Sequence, residues 1–469
     1  MSEPPVVVTP ASLDRAALQR KVVRTLVGSQ VLSGVGMACG IAVGALIAED
    51  LSGTEALAGV GTTAQVFGTA LITIPVARAT AARGRRIGLR FGLSLAFVGS
   101  AIVVAAAVVR SFPLFVVGMF LFGGGTTANN QTRYAAADLA EPARRGRDLS
   151  IVVWATTIGS VAGPNLVGPG KALANALRLP ELSGVFVFSL AGFLLAWLFV
   201  DRRLRPDPLL TARSLDDPTR AAGATAAVAT PAVARPAVAT PAVATPVGTP
   251  PSEAVVDPAS GGVADVPNHD GSMRRGLAVV RSRPGALPAV LVMALGHLVM
   301  VSVMVMTPIH MKHGHAELEV IGFVISVHIL GMFALSPIVG LAVDRFGGQR
   351  VAMTGGVILT LAAVLASRSQ AGWSGLLLSA LFLLGVGWSC TLVSGSTLLT
   401  AAVSTDERPA SQGLADLVMG LMGAFGGACA GFVVDRYGYG TLSGSASVIG
   451  VLILVLAMAA RRRVRAAAA

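Results

Sequence analysis

The stretch PIVGLAVDRFGGQR, residues 337–350, runs from an apolar segment through Asp344 and Arg345 into a Gly-Gly turn and ends on Arg350. Earlier in the chain RGRR (83–86) closes a segment of the same kind, and Arg86 and Arg350 lie 264 positions apart. A second pair of loops, AEPARRGRDLS (140–150) and STDERPASQGLAD (404–416), sets Glu141 and Asp406 265 positions apart. One offset shared by two separate loop pairs indicates a duplicated unit.

What is duplicated follows from composition. Hydrophobic residues make up 54% of the chain and charged residues 13%, with a mean hydropathy of +0.73. A soluble domain carries about a quarter charged residues. Nearly uncharged runs of roughly 18–25 residues recur, each long enough to cross a bilayer as a helix. Twelve such spans are predicted, in two six-helix bundles at 25–200 and 287–460, so the fold class is all-α integral membrane. A cytoplasmic tail is expected at 1–24 and another at 461–469. The first 24 residues are polar and do not read as a secretory signal, so the first span is expected to act as its own insertion signal. Residues 201–286 read as a cytoplasmic linker. Within it PAVARPAVATPAVATP (231–246) is a near-perfect five-residue repeat, a composition that buries no core and predicts an extended tether.

The net charge of +12 invites a nucleic-acid reading, but its distribution opposes one. With the N-terminus inside, the expected cytoplasmic segments hold 29 of the 36 Lys and Arg, the external loops hold six, and Arg133 lies within span 4. That is the positive-inside bias of a multi-pass plasma (inner) membrane protein with both termini cytoplasmic. The expected partners are the lipid bilayer and a small solute or metal ion, with no nucleic acid and no obligate protein partner. The three cysteines, Cys39, Cys390 and Cys429, are scattered through the spans and form no CxxC. No HExxH, P-loop or nucleophile elbow is present, so the chain does not read as an enzyme and no cofactor is expected.

Duplicated six-span units build one transporter architecture, with the substrate site between the halves near mid-membrane. The segment 337–350 resembles the signature loop of the major facilitator superfamily, through Gly340, Asp344, Arg345, Gly347 and Arg350. In the first half only the basic end of that signature survives. GSVAGPNLVG (159–168) resembles the Gly-Pro motif of span 5 in many antiporters. The resemblance covers nearly the whole chain and implies secondary transport by alternating access, with Asp344, Arg345 and Arg350 in a conformational latch.

The segment MVSVMVMTPIHMKHGH (300–315) narrows the reading. Five of the six His and five Met fall between His297 and Met332. Met300 and Met304 are i and i+4 on span 7, and His328 and Met332 are i and i+4 on span 8, so each pair shares a helix face. Counted inward from the connecting loop, Met300 and His328 are about nine and ten residues deep, close to one level at about 1.5 Å per residue. Thioether suits Cu(I), and imidazole accepts either copper state. Copper is therefore the expected substrate, with Met300, Met304, His328 and Met332 as transient ligands and His310, Met311, His313 and His315 collecting it at the mouth. This segment and HILGM (328–332) resemble the CcoA-like copper importers, a subfamily that also includes riboflavin importers. The alternatives are an organic solute, riboflavin-like or a drug exchanged for protons, and a non-transporting metal receptor.

Arg133 is a charge inside a span and needs a partner. Asp138 and Asp416 are the candidates, and the set His297, Arg133, Asp138 and Asp416 could couple transport to protons. A structural ion pair is the competing reading for Arg133.

Overall fold

A computed structural model describes residues 10–54, 57, 59–216 and 271–468. Nearly all of it is helical. The first half comprises α1 (Pro10–Ser52), α2 (Val60–Arg83), α3 (Arg85–Val109), α4 (Phe112–Ala135), α5 (Arg145–Asn165), α6 (Val167–Leu177) and α7 (Ser183–Arg203), followed by the short α8 (Pro208–Asp216). The second half comprises α9 (Met273–Ser282), α10 (Ala286–His313), α11 (Leu318–Phe333), α12 (Ser336–Phe346), α13 (Gly348–Ser367), α14 (Gly375–Ala402) and α15 (Arg408–Ala468).

Ten of the described helices are long and apolar enough to cross a membrane, and the pair α5–α6, bent by 60°, makes an eleventh if it counts as one span. The bend falls in the Gly-Pro segment noted above. The stretch Arg408–Arg462 is 55 residues long, far beyond the ~20 that one crossing needs. It breaks at Gly438, whose φ of 83° and ψ of 164° are not helical. Counting its two arms separately brings the total to the expected twelve.

The duplication is visible in the backbone. Gly84 separates α2 from α3 and Gly347 separates α12 from α13, each with φ of 87°. A positive φ strains any residue with a Cβ, so both junctions require glycine. Each half has its own apolar core. One is built from α1, α3, α4 and α7 around Phe115, Phe122, Phe186 and Phe193. The other is built from α10, α11, α13, α14 and α15 around Met300, Leu381, Leu384 and Trp388.

Three expectations shift. Residues 10–24, expected as tail, form the start of α1, and Gln19 donates to the Ala136 carbonyl at 2.7 Å and to Asp148 at 2.6 Å. The expected linker carries helices at both ends. α8 buries Leu209 and Ala212, and α9 buries Val279 and Val280, so these ends have apolar faces that the Pro/Ala repeat lacks. The repeat itself, 231–246, lies outside the described residues. The C-terminal tail is also helical through Ala468.

Close helix crossings depend on missing side chains. At Gly68 of α2 a Cβ would collide with the Phe120 backbone of α4, whereas at Gly431 of α15 nothing lies within 4 Å. Gly68→Leu is expected to lower stability by about 1–3 kcal/mol through overpacking, and Gly431→Ala to leave it unchanged or raise it slightly. Thermal unfolding of the purified protein checks both; equal behaviour of the two variants would contradict the assigned α2–α4 crossing.

Candidate functional site

The halves meet through buried charge. Arg85 and Asp138 have fully buried side chains. Arg85 Nε donates to Asp138 Oδ2 at 2.7 Å, and its Nη atoms donate to Asp138 Oδ1 at 3.2 Å, Gln131 at 2.9 Å and Gln412 of the second half at 2.5 Å. Arg408, also from the second half, donates to the Asp138 carbonyl at 3.1 Å. One helical turn deeper, Arg133 Nη2 donates to Asp416 Oδ1 at 2.5 Å, and Gln131 Nε2 donates to Asp416 Oδ2 at 2.8 Å. Charges so far from water persist only when paired and hydrogen-bonded. Arg133 thus takes Asp416, while Asp138 takes Arg85 and Arg408. The sequence named Arg133, Asp138 and Asp416 but missed Arg85, Arg408 and Gln412. Arg85 and Arg408 stand in stretches that read as ordinary basic loops.

Outside this network, the carboxylate of Asp344 accepts the backbone N–H groups of Gly146 and Arg147, both at 2.8 Å. A carboxylate from one half therefore caps α5 of the other, where the helix dipole favours it. The approach is close enough that a Cβ on Gly340 would strike Ser150. Arg345 and Arg350 are exposed, and Arg345 lies over its neighbour Phe346 at 5.5 Å. Of the three expected latch residues, only Asp344 bridges the halves. The first half lacks the matching acid: Ala81 stands three residues before Gly84, as Asp344 stands before Gly347. There Arg213 of α8 donates to the Ala81 carbonyl at 2.9 Å and pairs with Asp406 of the second half at 2.7 Å.

All these bridges lie at the end that carries the loops between spans 2 and 3, 4 and 5, 8 and 9, and 10 and 11. Among the described residues no hydrogen bond or ion pair joins the halves at the other end. Among the described residues, the latch lies at one end.

Just beyond the latch, two helix faces oppose each other. Tyr134 Oη of α4 lies 3.9 Å from Met293 Sδ of α10. One turn farther from the latch stand Asn130 on α4 and His297 on α10, on the same faces as Tyr134 and Met293. Asn130 accepts from Arg133 at 3.0 Å. His297 lies within electrostatic reach of Arg133, and its Nδ1 accepts from Trp388 Nε1 at 3.0 Å. That bond places the ring proton on Nε2. Trp388 of α14 touches both neighbouring spans, since Phe333 of α11 meets it edge-on at 5.5 Å. On the first-half side, Ser33 donates to Asn129 at 2.6 Å and Gln30 donates to Thr156 at 2.9 Å. The first half thus offers amide and hydroxyl groups, and the second an indole–imidazole pair. Trp388 gave no signal in the sequence, because a Trp in an apolar run reads as core.

The thioethers behave differently from the expectation. Met300 and Met332 are buried in one apolar cluster with Trp388, and Met304 packs against it. His328 is 1% exposed. Its Nδ1 lies 2.8 Å from the Leu381 carbonyl of α14, and its Nε2 is buried without a partner. Helix α10 packs chiefly on α15 and next on α14, α11 packs chiefly on α14, and α10 and α11 do not pack closely on each other. The two donor pairs thus flank α14, with Trp388 between their helices. Among the described residues no three His, Cys, Asp or Glu side chains gather as a metal cluster.

The expected mouth is also rearranged. α10 continues to His313, so His310 and Met311 are helical and not in a loop. Met311 is fully buried and unavailable to an arriving ion. His310 stacks on Tyr439 at 4.1 Å between ring centres, with Ser369 Oγ 3.5 Å from its Nε2. His313 and His315 are exposed. An apolar helix face claimed Met311, which its His-rich sequence neighbours concealed.

The chain resembles known proteins along nearly its full length. The profile of the Major Facilitator Superfamily matches residues 26–316 and 289–469. The uncharacterized MFS-type transporter YddS of Bacillus subtilis is 32% identical over 454 residues, covering 96% of this chain and 92% of YddS. The riboflavin transporter RfnT of Brucella anthropi is 24% identical over 445 residues, covering 94% of this chain and 96% of its own. Among solved structures, the human organic anion transporter MFSD10 (TETRAN) superposes with a TM-score of 0.66 at 16% identity, covering 94% of this chain and 99% of that one. That likeness is one of fold.

Asp416→Asn is expected to destabilise the protein by about 3–5 kcal/mol, because it strands the Arg133 guanidinium in the interior. The double variant Arg133→Gln/Asp416→Asn is expected to recover part of that loss. Thermal unfolding of both checks this; a double variant as unstable as the sum of the singles would argue against a direct pair.

Proposed function

Because the chain belongs to the Major Facilitator Superfamily, and so is a membrane transporter and not an enzyme, we propose that it moves a small polar organic solute by alternating access. The observation that carries this reading is the Trp388–His297 bond one turn beyond the Tyr134–Met293 contact, with Asn130 one turn beyond the same contact on α4. An indole, an imidazole and amide groups suit a planar, hydrogen-bonding molecule: the rings stack, and the amides recognise its polar edge. A relative named as a riboflavin transporter makes flavins the first class to test. The latched end faces the cytoplasm of the plasma membrane by the Lys and Arg bias, so the state described opens outward. Reversal requires the latch to part, which exposes Asp138 and Asp416 to water. Protonation of either carboxylate would help break the latch, and this pair is the proposed coupling site.

A second reading is copper import. It is favoured by one observation: the buried, unpartnered Nε2 of His328, one turn from Met332. A soft ion bound there would satisfy that nitrogen.

Purified protein in liposomes separates the two. Trp388→Ala and Asn130→Ala are expected to reduce flavin uptake by roughly tenfold or more, as loss of a buried polar or stacking contact implies, and His328→Ala to leave it intact. Uptake of radiolabelled copper that His328→Ala abolishes, with no flavin flux in the parent protein, would replace the first reading with the second. Copper binding without any flux would point to a receptor.

A further inference from the structure

Outside the transport path, a cavity of about 350 Å³ opens where the beginning of α1 meets the end of α7. It is lined by Arg20, Lys21, Arg24, Thr25, Phe199 and Arg203. Four of these six side chains are cations and none is an acid. Arg20 and Arg24 are i and i+4, so they stand on one face of α1 and repel each other. The carboxylate of Asp201, two residues before Arg203 on α7, is already taken: it pairs with Arg86 at 2.6 Å, Arg90 at 2.9 Å and Arg205 at 3.7 Å. Among the described residues none of the four cations has an ion-pair partner. Lys21 donates only to the Arg205 carbonyl, at 2.9 Å, and the Arg203 guanidinium lies 5.8 Å from the Phe199 ring centre.

The floor is built to stay open. Gly28 of α1 sits beneath Phe199, where a Cβ would come within 2.6 Å of the ring. The ring therefore packs closely on α1 at Gly28. Two turns back along α7, toward mid-membrane, Leu194 and Leu195 are outward-facing and exposed. The basic concavity thus sits at the top of an apolar, lipid-facing wall.

The geometry points to a binding site for the phosphodiester headgroup of an anionic membrane lipid, with its acyl chains lying along α7. Positive-inside bias explains why cations sit at this end of the bundle, but not why four of them converge on one hollow without an acid. An anionic headgroup supplies the missing charge. A lipid fits better than a soluble anion, because the apolar wall begins within two turns of the hollow. So placed, the headgroup bridges α1 to α7 within the first half and touches none of the proposed transport residues.

The test uses the detergent-purified full chain, titrated with short-chain phosphatidylglycerol, the matching phosphatidylcholine and inorganic phosphate, and read by thermal unfolding. Phosphatidylglycerol is expected to bind at least about tenfold more tightly than phosphatidylcholine, at about 1 kcal/mol per engaged cation. Arg20→Gln/Arg24→Gln/Arg203→Gln is expected to lose that preference. Arg274→Gln/Arg281→Gln/Arg436→Gln, which removes the same charge from exposed positions elsewhere, is expected to keep it. Should the first triple variant not fold, Arg203→Gln alone is expected to weaken phosphatidylglycerol binding about threefold or more, and an unchanged affinity overturns the proposal. Equal loss in both triple variants would mean a diffuse surface effect and overturn it too. Inorganic phosphate binding as tightly as phosphatidylglycerol would reassign the hollow to a soluble anion.

Discussion

The arrangement rests on charges that have no water and no alternative partner. Arg85, Asp138, Arg133 and Asp416 are each almost wholly buried, and an isolated ion there costs several kcal/mol. Each is stable because the other half, or a neighbouring span, supplies the opposite charge and the remaining hydrogen bonds. Gln131 and Gln412 complete the set by giving amide groups to both sides. The network adds little net stability over an apolar contact of the same size. It does make the interface discrete: the halves are either docked, with each buried carboxylate paired to a guanidinium, or apart, with the charges hydrated. An alternating-access carrier needs two states of that kind, with little stability in between.

Around the charges, small residues set how closely the backbones approach. Gly146 and Gly340 bring α5 and α12 together tightly enough for Asp344 to cap the neighbouring helix. In a membrane no hydrophobic effect separates helix–helix from helix–lipid contact, so close packing and polar bonds carry the association. The solute-facing groups are positioned from the same base. Asn130 and His297 stand one turn beyond the Tyr134–Met293 contact, so parting the latch moves both faces together.

Much of the fold was legible in the sequence because it obeys local rules. Apolar length gave the spans, and the paired loops at 83–86 and 344–350 marked the repeat whose junctions fall at Gly84 and Gly347. A charge inside a span demands an opposite one, so Arg133 is expected to take Asp138 or Asp416, and it takes Asp416. What stayed hidden depends on who faces whom. Gln412 lies in a polar loop sequence and gives no hint of burial. Met311 sits among histidines, yet it belongs to the apolar face of α10. The i,i+4 spacing of Met300 with Met304 and of His328 with Met332 is real, but spacing within a helix does not tell which neighbour the helix packs on. Here α10 packs chiefly on α15 and α11 on α14, and Trp388 stands between the two. The α8 and α9 helices were masked by their low-complexity neighbourhood.

The substitution of Arg213 for the missing acid gives the two halves different hinges. On one side the clamp is Asp344, fixed within a membrane-spanning helix. On the other it is a side chain of α8, the last described element before the chain crosses from the first bundle to the second. The crosslink therefore starts at the clamp and not at the membrane surface. The Arg213–Asp406 pair stands on the last described element of the first bundle, whereas Asp344 stands within a spanning helix. The two pseudo-symmetric halves thus close with unlike chemistry, a guanidinium on one side and a carboxylate on the other.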